Sequence, residues 1–205
     1  MKVTVLQYYK GFRSLYGFLA GIQFVPPLIR IFAPDTSGFA YLYPPLGYIQ
    51  TLGLAFTFFV LFAVTIALFL YCQSRGVHRS LCVVLIGGGI LTFCVLIGMY
   101  QFFVLHVRIP SVDQKVLVSV GCERTDFALR TYPSWSDEDM LHDRGPWEDS
   151  VRLLWTRRSL FAVRTALWAV YTLALGCFLA VFCVGAYQHA SDVAAGSKVL
   201  KNQGK

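Results

Sequence analysis

Long apolar blocks separated by polar stretches form the main pattern of this chain. They cover residues 14–32, 46–72, 81–105 and 165–187. Each block has the length of roughly 20 residues that a helix needs to cross a hydrocarbon core of about 30 Å. Because lipid offers the backbone no hydrogen-bond partners, each block is expected to be helical. The pattern therefore predicts four transmembrane helices.

The first block contains residues that disturb a helix. Pro26 and Pro27 interrupt the backbone hydrogen bonds, and Arg30 follows within one turn. One interpretation is a kinked helix that places a cation inside the membrane. The other, which we favour, is a helix that ends near the membrane surface, where the Arg30 side chain reaches lipid phosphates.

The polar residues 106–164 form a module between the third and fourth blocks, and nine of the eleven acidic residues lie there. Residues 115–120 are rich in β-branched side chains and are followed by Gly121, which predicts a strand and a turn. Residues 127–130 are predicted as a second, shorter strand. We therefore expect a small β element in the first half of the module.

The second half of the module begins with a helix signal. Ser136 precedes Asp137, Glu138 and Asp139, which is the pattern of an N-cap followed by acids that suit the helix dipole. Gly145 is expected to end that short helix. The acidic side chains are predicted to form a solvated face or a docking surface for a basic partner.

A further helix is predicted to start at Pro146, which suits a first helical position. Glu148 precedes Arg152 by four residues, the favourable order for a surface ion pair. An apolar stripe recurs at helical spacing through Trp147, Val151, Leu154 and Trp155. Nothing in the sequence interrupts this pattern, so one helix is predicted to continue into the fourth crossing. The stripe is expected to pack on the module, with the membrane or a partner as alternatives.

Composition indicates a membrane protein. Hydrophobic residues make up 56% of the chain, charged residues make up 14%, and the mean hydropathy is +0.57. Soluble domains carry about 25% charged residues. The net charge of +7 comes mostly from basic residues beside the apolar blocks, which suits lipid phosphates rather than nucleic acid. Basic residues are equally common on both sides of the predicted membrane, so they assign no orientation.

Residues capable of chemistry are scattered along the chain. The six cysteines include no C-x-x-C pair, and only Cys122 lies in the polar module. The histidines lack metal-binding spacing, and the acidic cluster lacks the central glycine of an EF-hand loop. No Walker loop, nucleophile elbow or zincin motif is present. We therefore expect no enzyme activity, metal site or cofactor.

Small residues in the apolar blocks indicate close helix packing, either within the bundle or towards another subunit. A GxxxG pair occurs in the first block, a glycine run in the third and a related small-residue pair in the fourth. Such residues let helix backbones approach where lipid provides no hydrophobic drive. The predicted helix-packing positions are Gly17, Gly21, Gly87, Gly88, Gly89, Gly176 and Ala180.

The plan of four helices, with a short first connection and a long loop before the fourth helix, resembles the tetraspanins. The resemblance covers topology alone. The Cys-Cys-Gly motif and the paired loop cysteines of that family are absent, since Cys122 is the only cysteine in the loop. The chain is therefore not assigned to the family.

The predicted fold class is membrane all-α: a four-transmembrane-helix bundle with one extramembrane module. The module is a small β element plus an amphipathic helix continuous with the fourth crossing. Residues 1–105 hold the N-terminal segment and helices one to three, and residues 106–164 hold the module. Residues 165–187 form the fourth helix, and residues 188–205 form a polar tail.

The expected function is that of a non-catalytic, multi-pass integral membrane protein acting as a structural or assembly subunit. Its expected partners are membrane lipids, other membrane subunits or copies of itself. The alternative is an oligomeric pore or channel, for which the apolar blocks offer few polar residues. The predicted partner-binding residues are Trp147, Val151, Leu154, Trp155, Asp137, Glu138 and Asp139.

Overall fold

The computed structural model describes residues 43–77, 79–109 and 114–203, together with Gly21 and Val25. Nearly all of the first apolar block lies outside these residues, including Gly17 and the predicted kink before Arg30.

The described chain is mostly helical, with one small sheet. A short 3-10 turn, Gly47–Ile49, precedes two long helices. The sheet and a group of short helices then lead to the last long helix. The elements are α1 Gln50–Arg75, α2 Arg79–Phe103, β1 Val104–Ile109, β2 Gln114–Ser119, α3 Asp126–Thr131, α4 Asp137–Arg144, α5 Glu148–Leu154 and α6 Arg157–Gln203.

Three helices among the described residues are long and apolar enough to cross a membrane. These candidate spans are Gly47–Arg75, Ser80–Phe103 and Arg157–Ala195, with mean hydropathies of 2.5, 2.6 and 2.2. They coincide with the second, third and fourth apolar blocks. The described residues therefore hold three such helices where the sequence predicted four in the whole chain. The last helix is longer than predicted, because α6 continues to Gln203 through most of the expected polar tail.

The chain divides into two compact units. In the unit that contains Phe58–Leu91 and the residues from Leu173 onward, α1 packs beside α6. Leu61, Leu179 and Cys183 are buried together. Further along both helices, the rings of Phe69 and Tyr187 meet edge-on with centroids 6.4 Å apart. The contacts advance in the same direction along both sequences, so the two helices run parallel within this unit.

The other unit contains residues 43–57 and Thr92–Thr172. Its sheet is an antiparallel pair in which Val104 lies opposite Ser119 and Ile109 lies opposite Gln114. The predicted strand at residues 115–120 is confirmed as β2. A core below the sheet combines side chains from both strands and all the short helices. It comprises Val107, Val118, Val120, Ala128, Tyr132, Met140, Leu141, Val151, Leu154, Trp155 and Leu160.

The predicted second strand at residues 127–130 is wrong, because this segment forms helix α3. The Thr125 hydroxyl caps that helix by accepting a hydrogen bond from the Ala128 N–H at 3.2 Å. Ala128 itself is fully buried in the module core. The strand that pairs with β2 is instead β1, which follows α2 directly.

The predicted helix after Ser136 is confirmed as α4. The Ser136 hydroxyl accepts a hydrogen bond from the Asp139 N–H, and the Asp139 carboxylate accepts one from the Ser136 N–H. This reciprocal pair is a capping box, which satisfies two backbone donors at the helix start. Gly145 ends the helix with a positive φ of 86°, a conformation that costs glycine little. The start predicted for the next helix at Pro146 is two residues early, since α5 begins at Glu148.

The prediction of one continuous helix from the module into the fourth crossing is wrong, because the helix ends before Trp155 and a new helix begins at Arg157. Trp155 is extended, with ψ of 148°, and forms a β-bridge with Arg124. Thr156 then donates its N–H to the Glu123 carbonyl at 3.0 Å. The Thr156 hydroxyl also accepts from the Ser159 N–H and caps α6. Tertiary hydrogen bonds and a new cap therefore override a helical pattern that no glycine or proline interrupts.

Candidate functional site

The predicted apolar stripe is divided between the core and the surface. Val151, Leu154 and Trp155 are buried in the module core, so their side chains pack within the module. This is the arrangement that we expected for the stripe, and it removes the three from the surface available to a partner. Trp147 is different, because 60% of its surface is exposed. It is the one member of the stripe that remains available for recognition.

The predicted acidic residues have separate local roles. Asp137 accepts hydrogen bonds from the Arg124 guanidinium at 2.6 and 3.0 Å. Asp139 belongs to the capping box, where hydrogen bonds from Ser136 lower the pKa of its carboxyl below the ordinary value. Glu138 is exposed on the same helix. The acidic segment therefore stabilises the start of α4 and still presents negative charge to solvent.

Aromatic side chains gather beside this acidic helix. The rings of Tyr132 and Trp135 lie 4.9 Å apart, and the Arg144 guanidinium carbon lies 5.3 Å from the centre of the Phe127 ring. The Tyr132 hydroxyl donates to the Asp143 carboxylate and accepts from the Arg144 Nε at 2.8 Å. That second hydrogen bond raises the pKa of the Arg144 guanidinium. Phe127 and Trp135 are nevertheless exposed.

An open depression of about 490 Å³ lies at the edge of this aromatic group, and we call it the outer depression. It combines one exposed indole with two carboxylates, a combination that suits a cationic side chain through charge pairing and cation–π contact. Within the described part of the chain, no three His, Cys, Asp or Glu residues converge on a position that could hold a metal ion. The lining residues are Ser134, Trp135, Asp139, His142 and Asp143.

A buried charge pair lies where the module meets the first turns of the candidate membrane span α6. Arg164 is only 1% exposed, and its guanidinium donates to both Glu148 carboxylate oxygens at 2.7 and 2.9 Å. Its Nε donates to the Ser119 hydroxyl at 2.9 Å, and its guanidinium lies 5.3 Å from the centre of the Tyr48 ring. Four segments that are distant in the sequence therefore meet around one side chain.

Sequence reasoning missed this pair. It interpreted the basic residues beside the apolar blocks, to which Arg164 belongs, as partners of lipid phosphates, and it matched Glu148 only with Arg152. That second pair is present, with Nε 3.1 Å from the carboxylate. A signal for burial existed, because Arg164 stands at helical spacing from the apolar residues Leu160 and Leu167, and both are buried.

Gly47 is required next to this pair. Its φ is +55°, and a Cβ built there would lie 2.5 Å from both the Arg164 guanidinium and the Glu148 carboxylate. The 3-10 turn at the start of α1 can therefore approach the ion pair only with glycine at this position. This close approach also brings Tyr48 over the Arg164 guanidinium.

The predicted helix-packing positions differ in their surroundings. A Cβ at Gly89 would lie 3.3 Å from the Cβ of Cys177, so α2 passes close to α6 there. Gly88 also approaches Cys177, and Ala180 is buried. A Cβ would meet no described atom within 4 Å at Gly21, Gly87 or Gly176. Gly17 lies outside the described residues.

All six cysteines are free thiols, and Cys122 is exposed. Comparisons with family models, with curated proteins and with solved structures gave no match to this chain.

Proposed function

We propose that this protein is a non-catalytic, multi-pass membrane protein with four transmembrane helices that acts as an assembly subunit. In this proposal, the extramembrane module recognises a partner through the outer depression. The supporting observation is that the module has a complete apolar core, still leaves Trp147 exposed, and leaves Trp135 exposed beside the carboxylates of Asp139 and Asp143. Tryptophan is enriched at the energetically dominant positions of protein interfaces.

The chemistry of the outer depression favours a partner with an exposed Lys or Arg side chain. Asp139 and Asp143 supply negative charge, and Trp135 supplies an aromatic face. Asp139 is ionised at neutral pH, and the hydrogen bonds from Ser136 lower the pKa of its carboxyl further, so that its negative charge persists into more acidic solution. Such charges raise the rate of encounter with a basic partner, whereas the indole provides apolar area to bury.

The Arg164–Glu148 pair supports a positioning role for the membrane helices. It fixes the start of α6 to α5 and β2 through bonds to Glu148 and Ser119. A recognition surface held in this way loses little conformational entropy on binding, because its backbone is already ordered.

Purification of the full-length protein in mild detergent tests the proposal, with mass measured by light scattering and bound proteins identified. We expect a complex of fixed stoichiometry well above the 23.0 kDa of the chain. Trp135→Ala should release the partner. Leu153→Ala should retain it, because Leu153 is similarly exposed but does not line the outer depression. A stable monomer would contradict the proposal, and ion conductance by reconstituted protein would favour the pore alternative.

A further inference from the structure

An apolar groove runs along the surface of the candidate membrane spans, between the first turns of α1 and the first turns of α6. Its volume is about 280 Å³. All its lining residues belong to the unit that contains the module, and all lie within the spans Gly47–Arg75 and Arg157–Ala195. The lining residues are Ile49, Leu52, Gly53, Phe56, Phe161, Thr165 and Trp168.

The indole of Trp168 offers the groove an apolar surface. Its Nε1 donates to the Gly53 carbonyl and to the Thr57 hydroxyl oxygen, each at 2.9 Å. The Thr57 hydroxyl in turn donates to the Gly53 carbonyl at 2.8 Å. These polar groups therefore satisfy one another, and Leu52 and Phe161 border the groove with more than half of their surface exposed. Such a surface suits a hydrocarbon chain rather than a polar ligand.

One end of the groove carries cationic side chains. Arg157 and Arg158 are exposed and precede Phe161 by four and three residues, which places them one turn before it on the same side of α6. Neither forms an ion pair with any residue that the structure describes. The Arg152 guanidinium lies 4.7 Å from the centre of the Tyr48 ring, but its charge is paired with the Glu148 carboxylate. The positive charge at this end of the apolar channel therefore comes from Arg157 and Arg158.

We propose that this groove binds one membrane phospholipid with an anionic headgroup. One acyl chain lies along the indole of Trp168, and Arg157 and Arg158 hold the phosphate. In a membrane, the acyl chains of such a lipid lie in the hydrocarbon core and its phosphate lies at the surface. The groove has the same order, because its arginines are at one end and guanidinium groups pair with phosphate oxygens at the level of the headgroups. A zwitterionic lipid fits the same channel but gains less from the cationic end.

Brominated lipids test this proposal, because bromine on an acyl chain quenches tryptophan fluorescence at short range. The full-length protein carries Trp135→Phe and Trp147→Phe, which leaves Trp168 in the groove and Trp155 in the module core. It is reconstituted in vesicles of equimolar phosphatidylcholine and phosphatidylglycerol, with bromine on one lipid or the other. We expect the quenching to show about fivefold preference for phosphatidylglycerol beside Trp168.

The decisive comparison is between two double variants, one that removes two positive charges at the groove and one that removes two positive charges elsewhere. Arg157→Gln/Arg158→Gln should abolish the preference, whereas Arg75→Gln/Arg130→Gln should preserve it, because both control arginines are exposed and lie outside the groove. Equal quenching by the two lipids in the unmodified groove would overturn the proposal. Absence of quenching would also overturn it and would indicate that a protein helix covers the groove. Competition with free phosphate separates a lipid site from a simple anion site. Retention of the preference in millimolar phosphate supports the lipid site, and loss of the preference there overturns the lipid assignment.

Discussion

The buried ion pair predicts an unequal response to the loss of either partner. Arg164 is 1% exposed, whereas 33% of the Glu148 side chain remains exposed. Glu148→Gln leaves a buried guanidinium without its counter-charge. Arg164→Met leaves a carboxylate that still lies 3.1 Å from Arg152 and reaches water. The substitution at the more exposed residue should therefore destabilise the protein more.

The expected magnitudes follow from this difference. Breaking a buried pair so that one charge stays buried costs about 3–5 kcal/mol, and the partial exposure of Glu148 places Glu148→Gln near the lower end, at about 3 kcal/mol. Arg164→Met keeps most of the side-chain volume and should cost about 1–2 kcal/mol. The double variant should resemble Arg164→Met, because no buried charge remains in it.

Unfolding of the full-length chain by sodium dodecyl sulfate in mixed micelles measures these free energies, with tryptophan fluorescence as the signal. The four proteins form a double-mutant cycle that isolates the coupling between the two side chains. Arg152→Gln is the matched control and should cost less than about 1 kcal/mol, because its pair with Glu148 is exposed. Equal costs for Glu148→Gln and Arg164→Met, or the reverse order, would refute the reasoning.

Two further predictions concern the elements around this pair. Gly47→Ala should destabilise the protein by about 1–2 kcal/mol or more, because alanine disfavours the left-handed backbone at this position. Gly98→Ala is the control: it lies in open space within α2 and should be neutral or stabilising by up to about 1 kcal/mol. The same unfolding titration compares the two variants. Ser136→Ala should destabilise the module by about 1 kcal/mol at neutral pH. Hydrogen bonds from Ser136 lower the folded pKa of Asp139 below the ordinary value of 3.8, so the stabilisation from its carboxylate is present above that value and is lost as pH falls through the folded pKa. Hydrogen exchange in α4, followed from neutral pH down to pH values below the folded pKa, checks this, and an effect of Ser136→Ala that persists unchanged over that whole range would contradict it.

The features that sequence predicted correctly depend on local patterns. Long apolar blocks predicted α1, α2 and α6 because their length alone satisfies the requirement of the membrane. The Ser136 N-cap and the acids that follow it predicted α4, because this signal lies within four residues of the chain. A run of β-branched residues predicted β2. Each of these signals is complete within a short window of the chain.

The features that sequence missed depend on distant partners. Trp155 leaves the helical pattern because it bridges to Arg124, which is 31 residues earlier. Arg164 is buried because Glu148 and Ser119 meet it in three dimensions, although its helical register with Leu160 and Leu167 was visible. The outer depression depends on how α3 and α4 pack, so Trp135 carried no signal of its own. The helix α3 is the exception among these features, because its Thr125 cap is a local signal that is present in the sequence.

The direct passage from α2 into β1 has a consequence for the length of this helix. Phe103 ends α2, Val104 begins β1, and the Val120 N–H donates to the Phe103 carbonyl at 2.9 Å. No loop absorbs a change in helix register at this point. Since each helical residue turns the chain by about 100°, one residue inserted late in α2 would rotate the first strand about the helix axis by that angle. The number of residues at the end of α2 therefore sets the direction in which β1 leaves the helix axis, a constraint that bilayer thickness alone does not impose.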